Sequence, residues 1–180
     1  MLRVGGLTRL SASDYPDRLA AVVYCQGCAW RCTYCHNPHL LPSRAETELP
    51  WPGVISFLQK RLGLLEAVVF SGGEPTLQRS LPDAIREVKS LGYLVGLHTA
   101  GIVPRMLARV LPLVDWVGMD LKAEWDDHAA VTRVAGSGER ARRSMELIRA
   151  SGVDYRFHTL EKRGQEPFSR SVAKLDEKGS

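Results

Sequence analysis

All four cysteines of this 180-residue chain fall between Cys25 and Cys35, and the remaining 169 positions have none. Disulfide staples join distant segments, so a cluster this tight cannot brace a fold. The chain must instead hold together through a buried apolar core, and 180 residues that are 44% apolar are enough for one. Charged residues make up 24% and the net charge is +4, an ordinary soluble globular composition that excludes global disorder. The length fits a single domain. Four cysteines so close together read as a metal or cluster site.

Along the chain, short apolar runs alternate with amphipathic stretches. The pattern predicts strands at Leu19–Tyr24, Ala67–Phe70, Tyr93–Leu97, Trp116–Leu121 and Val153–Thr159. Helices are predicted at Val54–Leu62, Leu81–Leu91, Pro104–Leu111 and Glu139–Ala150, with Gly92 and Gly152 as C-terminal stops. Apolar strands linked by helical crossovers mean a parallel sheet covered by helices, and an open sheet or a partial barrel both fit. In either, sites gather at the carboxyl ends of the strands. The reactive residues fall there: the cysteines, Ser71-Gly72-Gly73-Glu74-Pro75, His98-Thr99, and Asp120 with Lys122. The segment from Glu161 to Ser180 has no period and reads as a polar tail, loop or disorder.

No apolar run of about 18 residues exists, so no membrane span is expected. Met1 to Gly6 lacks a signal-peptide pattern, which points to the cytoplasm. Arg140, Arg142 and Arg143 form the densest basic stretch; without interleaved aromatics it reads as a solvated helix face, so no nucleic acid is expected. Gly136-Ser137-Gly138-Glu139-Arg140-Ala141 fits G-x-G-x-x-A, but it comes late and opens no first βαβ unit. Capping of a helix start by this Gly/Ser loop is the better reading.

The cysteines are spaced Cys25-x2-Cys28-x3-Cys32-x2-Cys35. Two zinc-type pairs are normally roughly 15–20 residues apart, and only three residues separate these. A ferredoxin run has Pro after its last cysteine, where this chain has His36. Cys28, Cys32 and Cys35 stand out as three thiolates on one tight loop. On a cubane of four irons they leave one iron open for a ligand.

Cys28-Ala29-Trp30-Arg31-Cys32-Thr33-Tyr34-Cys35 resembles the CxxxCxxC signature of radical S-adenosylmethionine (SAM) enzymes. With Asp14-Tyr15-Pro16, Gln26-Gly27 and His36-Asn37-Pro38, the chain resembles the activating enzymes of anaerobic ribonucleoside-triphosphate reductase, from about Leu7 to about Thr159. The resemblance implies an α/β partial (β/α) barrel of about five parallel strands over residues 1–160, with the polar tail at 161–180. It implies a 4Fe–4S cluster on Cys28, Cys32 and Cys35. Gly72, Gly73, Glu74 and Pro75 would meet the SAM amino group, Asp120 and Lys122 the carboxylate and ribose, and Tyr34 the adenine. His98 and Thr99 take a cofactor-facing place, although related activases often carry Asp where His98 stands.

Blander readings stand beside these. Gly72-Gly73-Glu74 could be a turn with a helix-capping Glu. Asp120 and Lys122 could be an internal ion pair, and His98 a satisfied strand end. Cys25 has no assigned task, and His36 belongs with Asn37 to loop structure.

The reaction implied is reductive cleavage of SAM, followed by formation of a glycyl radical on a partner enzyme. No further cysteines exist for an inserted ferredoxin-like module, so an external donor such as flavodoxin is implied. The alternatives are a small-molecule radical SAM enzyme similar to the 7-carboxy-7-deazaguanine synthases, and a non-enzymatic zinc module. The family pattern continues into another crossover and strand, so the chain is expected to stop about one βα unit short of that core.

Overall fold

A computed structural model describes residues 1–159, and the tail expected at 161–180 lies outside the described residues. Strand β1 (Val4–Ser11) leads into β2 (Ala20–Cys25), and the cysteine loop follows. Helix α1 (Trp51–Gln59), β3 (Ala67–Gly72), α2 (Leu81–Ser90), β4 (Leu94–Thr99) and α3 (Pro104–Val110) come next. They are followed by β5 (Trp116–Leu121), α4 (His128–Thr132), α5 (Ser137–Ala150) and β6 (Asp154–Thr159).

Among the described residues, six strands form one sheet in chain order, β1-β2-β3-β4-β5-β6, and β1 and β6 do not pair to close it. The five expected parallel strands are β2 to β6. The sheet has one strand more, because β1 pairs antiparallel with β2. Its run Val-Gly-Gly-Leu-Thr-Arg-Leu-Ser carries two glycines and no clean alternation, so only the partner strand reveals it.

The two faces of the sheet are unequal. Ala21, Val23 and Cys25 of β2, Val68 and Phe70 of β3, Val95 and Leu97 of β4, and Val117, Met119 and Leu121 of β5 pack with the buried residues of α1, α2, α3 and α5. The alternate residues Ala20, Val22, Ala67, Val69 and Trp116 meet Tyr15, and no helix residue is among them. Helices confined to one face fit a partial barrel better than a doubly wound sheet, which is covered on both. Tyr15 and Trp116 lie with ring centroids 5.8 Å apart on the inner face.

The helices begin and end near their expected bounds, with one clear shift. α1 starts at Trp51 rather than Val54 and stops at Gln59 rather than Leu62. Pro52 is tolerated in the first turn, where its missing N–H costs nothing. The Trp51 indole is buried and donates to Glu87 Oε2 at 2.7 Å, which fixes the helix start. α4 was not foreseen, since five residues are too few to show a helical period. No helix among the described residues is long and apolar enough to cross a membrane.

Candidate functional site

The carboxyl ends of the five parallel strands share one edge, and a cleft of about 240 Å³ opens there. Cys28, Cys32 and Cys35 line one wall with Tyr34. Ser71, Gly72 and Gly73 at the end of β3, and His98, Thr99 and Ala100 at the end of β4, form the floor. Asp120 and Lys122 come from the end of β5, and His158 with Thr159 from β6.

The three loop cysteines are half-buried and form no disulfide. Burial pushes the Cys28 thiol up to about 11, against a hydrogen bond from the Trp30 backbone N–H. Burial also raises the Cys32 thiol, with Lys122 opposing. A thiolate is the ligand form, so loading this loop must release protons. Among the described residues, no group of three His, Cys, Asp or Glu side chains is set to hold a single metal ion. A cubane makes no such demand, since its three thiolates bind three different irons.

Cys25 stands apart. It is fully buried at the end of β2, outside the cleft, and burial drives its thiol far above the ordinary range. It packs as a small apolar residue.

The floor is braced from behind. Gly72 has a φ of 108°, and a Cβ there would stand 2.5 Å from the Cys25 nitrogen; a Cβ on Gly73 would stand 2.4 Å from the Gly27 carbonyl oxygen. The glycines thus let the end of β3 press against the backbone that leads into the cysteine loop. The Gly73 and Glu74 N–H groups donate to the Cys25 and Gly27 carbonyls, both at 2.9 Å.

Glu74 does not line the cleft, nor does Pro75. The Glu74 side chain is fully buried and turned inward. Its Oε1 accepts from the Thr76 N–H at 3.0 Å, the Thr76 hydroxyl at 2.6 Å and the Thr99 hydroxyl at 2.8 Å. Its Oε2 accepts from the Ala100 N–H at 2.9 Å. Burial raises its carboxyl above the usual range despite these donors. The carboxylate therefore caps the 3-10 turn Pro75–Leu77 and clamps the end of β3 to the end of β4.

Asp120 and Lys122 pair with each other at 2.8 Å. His158 Nδ1 lies 3.3 Å from the other Asp120 oxygen. Burial raises the Asp120 carboxyl, but Lys122 and then His158 and His98 outweigh it, so it sits below its ordinary value. His98 Nε2 is 2.9 Å from the Asp14 carbonyl, and burial holds the ring below its ordinary value. The Tyr34 hydroxyl donates to the Lys122 carbonyl at 2.7 Å, tying the cysteine loop to the end of β5.

Sequence reasoning missed Trp30, Leu41, Ala100, His158 and Thr159 as cleft residues, and it left His36 and Asn37, which also line the cleft, to loop structure. His158 and Thr159 are the last two residues of β6, so the strand-end rule itself was the signal that could have found them.

Comparisons with known proteins fit this arrangement. A protein of Methanocaldococcus jannaschii named as a glycyl-radical enzyme activating enzyme is 33% identical over 141 residues, 76% of this chain and 57% of that protein. The pyruvate formate-lyase-activating enzyme of Clostridium pasteurianum is 30% identical over 145 residues, 78% of this chain and 60% of the relative. The PqqA peptide cyclase of Xanthomonas axonopodis pv. citri is 34% identical over 137 residues, 70% of this chain and 35% of the relative. The chain thus spans from about a third to three fifths of the length of these relatives.

Among solved structures, anSMEcpe with bound AdoMet superposes with a TM-score of 0.61 at 19% identity, covering 84% of this chain and 45% of that one. QueE from Escherichia coli superposes with a TM-score of 0.51 at 13% identity, covering 88% and 94%. Both show the fold alone. Residues 22–161 match the Radical SAM superfamily, and the chain belongs to it.

Proposed function

We propose that this chain is a glycyl-radical enzyme activating enzyme whose partner is anaerobic ribonucleoside-triphosphate reductase. One observation carries the reading: three half-buried thiols face the glycine-rich end of β3 and the ends of β4 and β5 across a single cleft. The relatives named as activating enzymes support it.

The donor set fits the cofactors that the family implies. Cys28, Cys32 and Cys35 would hold a 4Fe–4S cluster and leave one iron open. The backbone of Gly72 and Gly73, with Thr99 and Ala100, offers polar groups for an amino acid moiety. Asp120 and Lys122 offer one charge of each sign, and Tyr34 an aromatic face. Glu74 acts from behind as a positioning residue. When bound, cluster and SAM supply one-electron cleavage of the sulfonium and hydrogen abstraction from a backbone glycine. The protein orients them and excludes water, and a donor such as flavodoxin would deliver the electron.

The test is anaerobic reconstitution with iron and sulfide, then dithionite and SAM, with and without the reductase. The expected result is 5′-deoxyadenosine together with a glycyl radical signal by electron paramagnetic resonance. Absence of both cluster absorbance and cleavage would overturn the enzyme reading. Cleavage with no glycyl signal would overturn the activase reading and favour a second one, modification of another peptide, which the PqqA peptide cyclase relative supports.

A further inference from the structure

Two backbone amides flank Cys32, those of Arg31 and Thr33, and both are held from outside the loop. The Arg31 N–H donates to the Thr132 carbonyl at 2.9 Å, and the Thr33 N–H to the Val131 carbonyl at 3.1 Å. These carbonyls belong to the last turn of α4, where a helix has no internal donor to meet them. Arg133 ends the helix with a left-handed φ of 58°. The carboxyl end of α4 thus grips the cysteine loop on both sides of one thiol.

A five-residue helix does not hold itself. α4 is held by a buried network: His128 Nδ1 lies 2.9 Å from the Ser137 hydroxyl, and the Thr132 hydroxyl lies 2.7 Å from it. The Thr132 hydroxyl also reaches the His128 carbonyl at 2.8 Å. All three residues are fully buried. A Cβ on Gly138 would stand 2.8 Å from the Trp125 carbonyl oxygen and 3.3 Å from His128 Cβ. Gly136-Ser137-Gly138 therefore opens α5 as a seat for α4. It makes no side-chain cap, contrary to the capping expected of it. Away from Ser137, the His128 ring meets Trp30 edge-to-face with centroids 5.0 Å apart. Trp30 lies between Cys28 and Cys32 and lines the cleft. Among the described residues, neither His128 Nε2 nor Trp30 Nε1 has a hydrogen-bond partner.

We propose that His128, seated by Ser137 and Thr132, is a positioning residue for the cysteine loop, acting through the Trp30 ring and the α4 carbonyls. Its redox consequence rests on the cysteines being cluster ligands, as proposed above. Amides held by α4 cannot turn toward a cluster sulfur, and hydrogen bonds to cluster sulfurs help set the potential. Releasing Arg31 and Thr33 should therefore shift the potential upward.

The test uses the full chain with Ser137→Ala, His128→Ala, His128→Asn as the conservative rescue, and Ser144→Ala as control. Ser144 is buried in the same helix but donates to the Gly101 carbonyl, away from the loop. In the iron-free protein, Ser137→Ala and His128→Ala should speed hydrogen exchange at the Arg31 and Thr33 amides about tenfold relative to those of β3 and β4. Ser144→Ala should not, and His128→Asn should recover much of the protection. After reconstitution, the midpoint potential should rise in the first two variants alone. Unchanged loop exchange, equal loop loosening in Ser144→Ala, or an unmoved potential would overturn the proposal. Should His128→Ala loosen the whole sheet, the loop-to-sheet ratio in Ser137→Ala decides. A wild-type chain that binds no cluster would sink the functional reading, while the exchange ratio would still decide whether α4 positions the loop.

Discussion

The end of β3 and the cysteine loop face each other across one cleft, yet they satisfy their polar groups differently. At the β3 side, the Glu74 carboxylate takes four donors from Thr76, Thr99 and Ala100 without any ligand. On the loop, the Arg31 and Thr33 amides lean on α4 and the Tyr34 hydroxyl on the Lys122 carbonyl, while three thiols face the cleft. One wall is complete as protein alone. The other presents three thiols to the cleft and is held by backbone and hydroxyl contacts with α4 and the end of β5. The difference teaches where substitutions will act: stability at the first wall, cofactor loading at the second.

The sharpest way to break the comparison is to exchange any of Cys28, Cys32 or Cys35 for Ser. Iron content after reconstitution should fall to near zero, while stability of the iron-free chain moves by less than about 1 kcal/mol. A large loss of stability without iron would mean that the loop is as much a structural element as the floor.

Glu74 should behave in the opposite sense. Glu74→Ala strands several buried donors and leaves a cavity, so denaturant unfolding of the iron-free protein should show a loss of about 3–5 kcal/mol. Glu74→Gln keeps the shape and part of the acceptor set, and should cost about 1–3 kcal/mol. A neutral Glu74→Ala would place this carboxylate on the ligand side of the comparison.

His128 supplies a pH test of the support behind the loop. Burial lowers its imidazole to about 4, against an ordinary value of 6.5. Above 6.5 the ring is neutral in both folded and unfolded chains, and its contribution is complete. Below that, the unfolded chain takes up the proton first, so stability falls as pH drops from 6.5 toward 4. The loss is up to about 3 kcal/mol, and His128→Gln should flatten that part of the stability profile.

Tyr34→Phe should have the smallest effect, about 1 kcal/mol or less, from loss of one half-buried hydrogen bond to Lys122. A cost well above that would show the loop to be as rigid as the floor.

Much of this was legible in the residues themselves. Apolar runs such as Ala67–Phe70 and Trp116–Leu121 announced buried parallel strands, and the crossover pattern put their carboxyl ends together. The cysteine spacing and Gly72-Gly73 marked the cleft they do line. Direction was harder to see. Nothing local says that Glu74 turns inward, because its partners Thr99 and Ala100 lie in another strand end. Nor does spacing reveal that a Cβ on Gly73 would stand 2.4 Å from the Gly27 carbonyl oxygen. The Asp120–Lys122 ion pair was foreseen as the blander reading, and the geometry holds it. β1 and α4 escaped because their stability is borrowed from neighbours rather than written in their own period.

The grip of α4 on the cysteine loop also sets an order of events during synthesis. The Arg31 and Thr33 amides find partners at Thr132 and Val131, about a hundred residues further along the chain. At ~5–20 residues per second, the cysteines wait roughly 5–20 s after emerging before those carbonyls exist. Through that interval the thiols can react but have no fixed arrangement. Closing so long a separation late is the slow kind of contact formation. The loop therefore takes its final shape only after Val131 and Thr132 are made, so any ligand of the three thiols meets a settled loop only after that point.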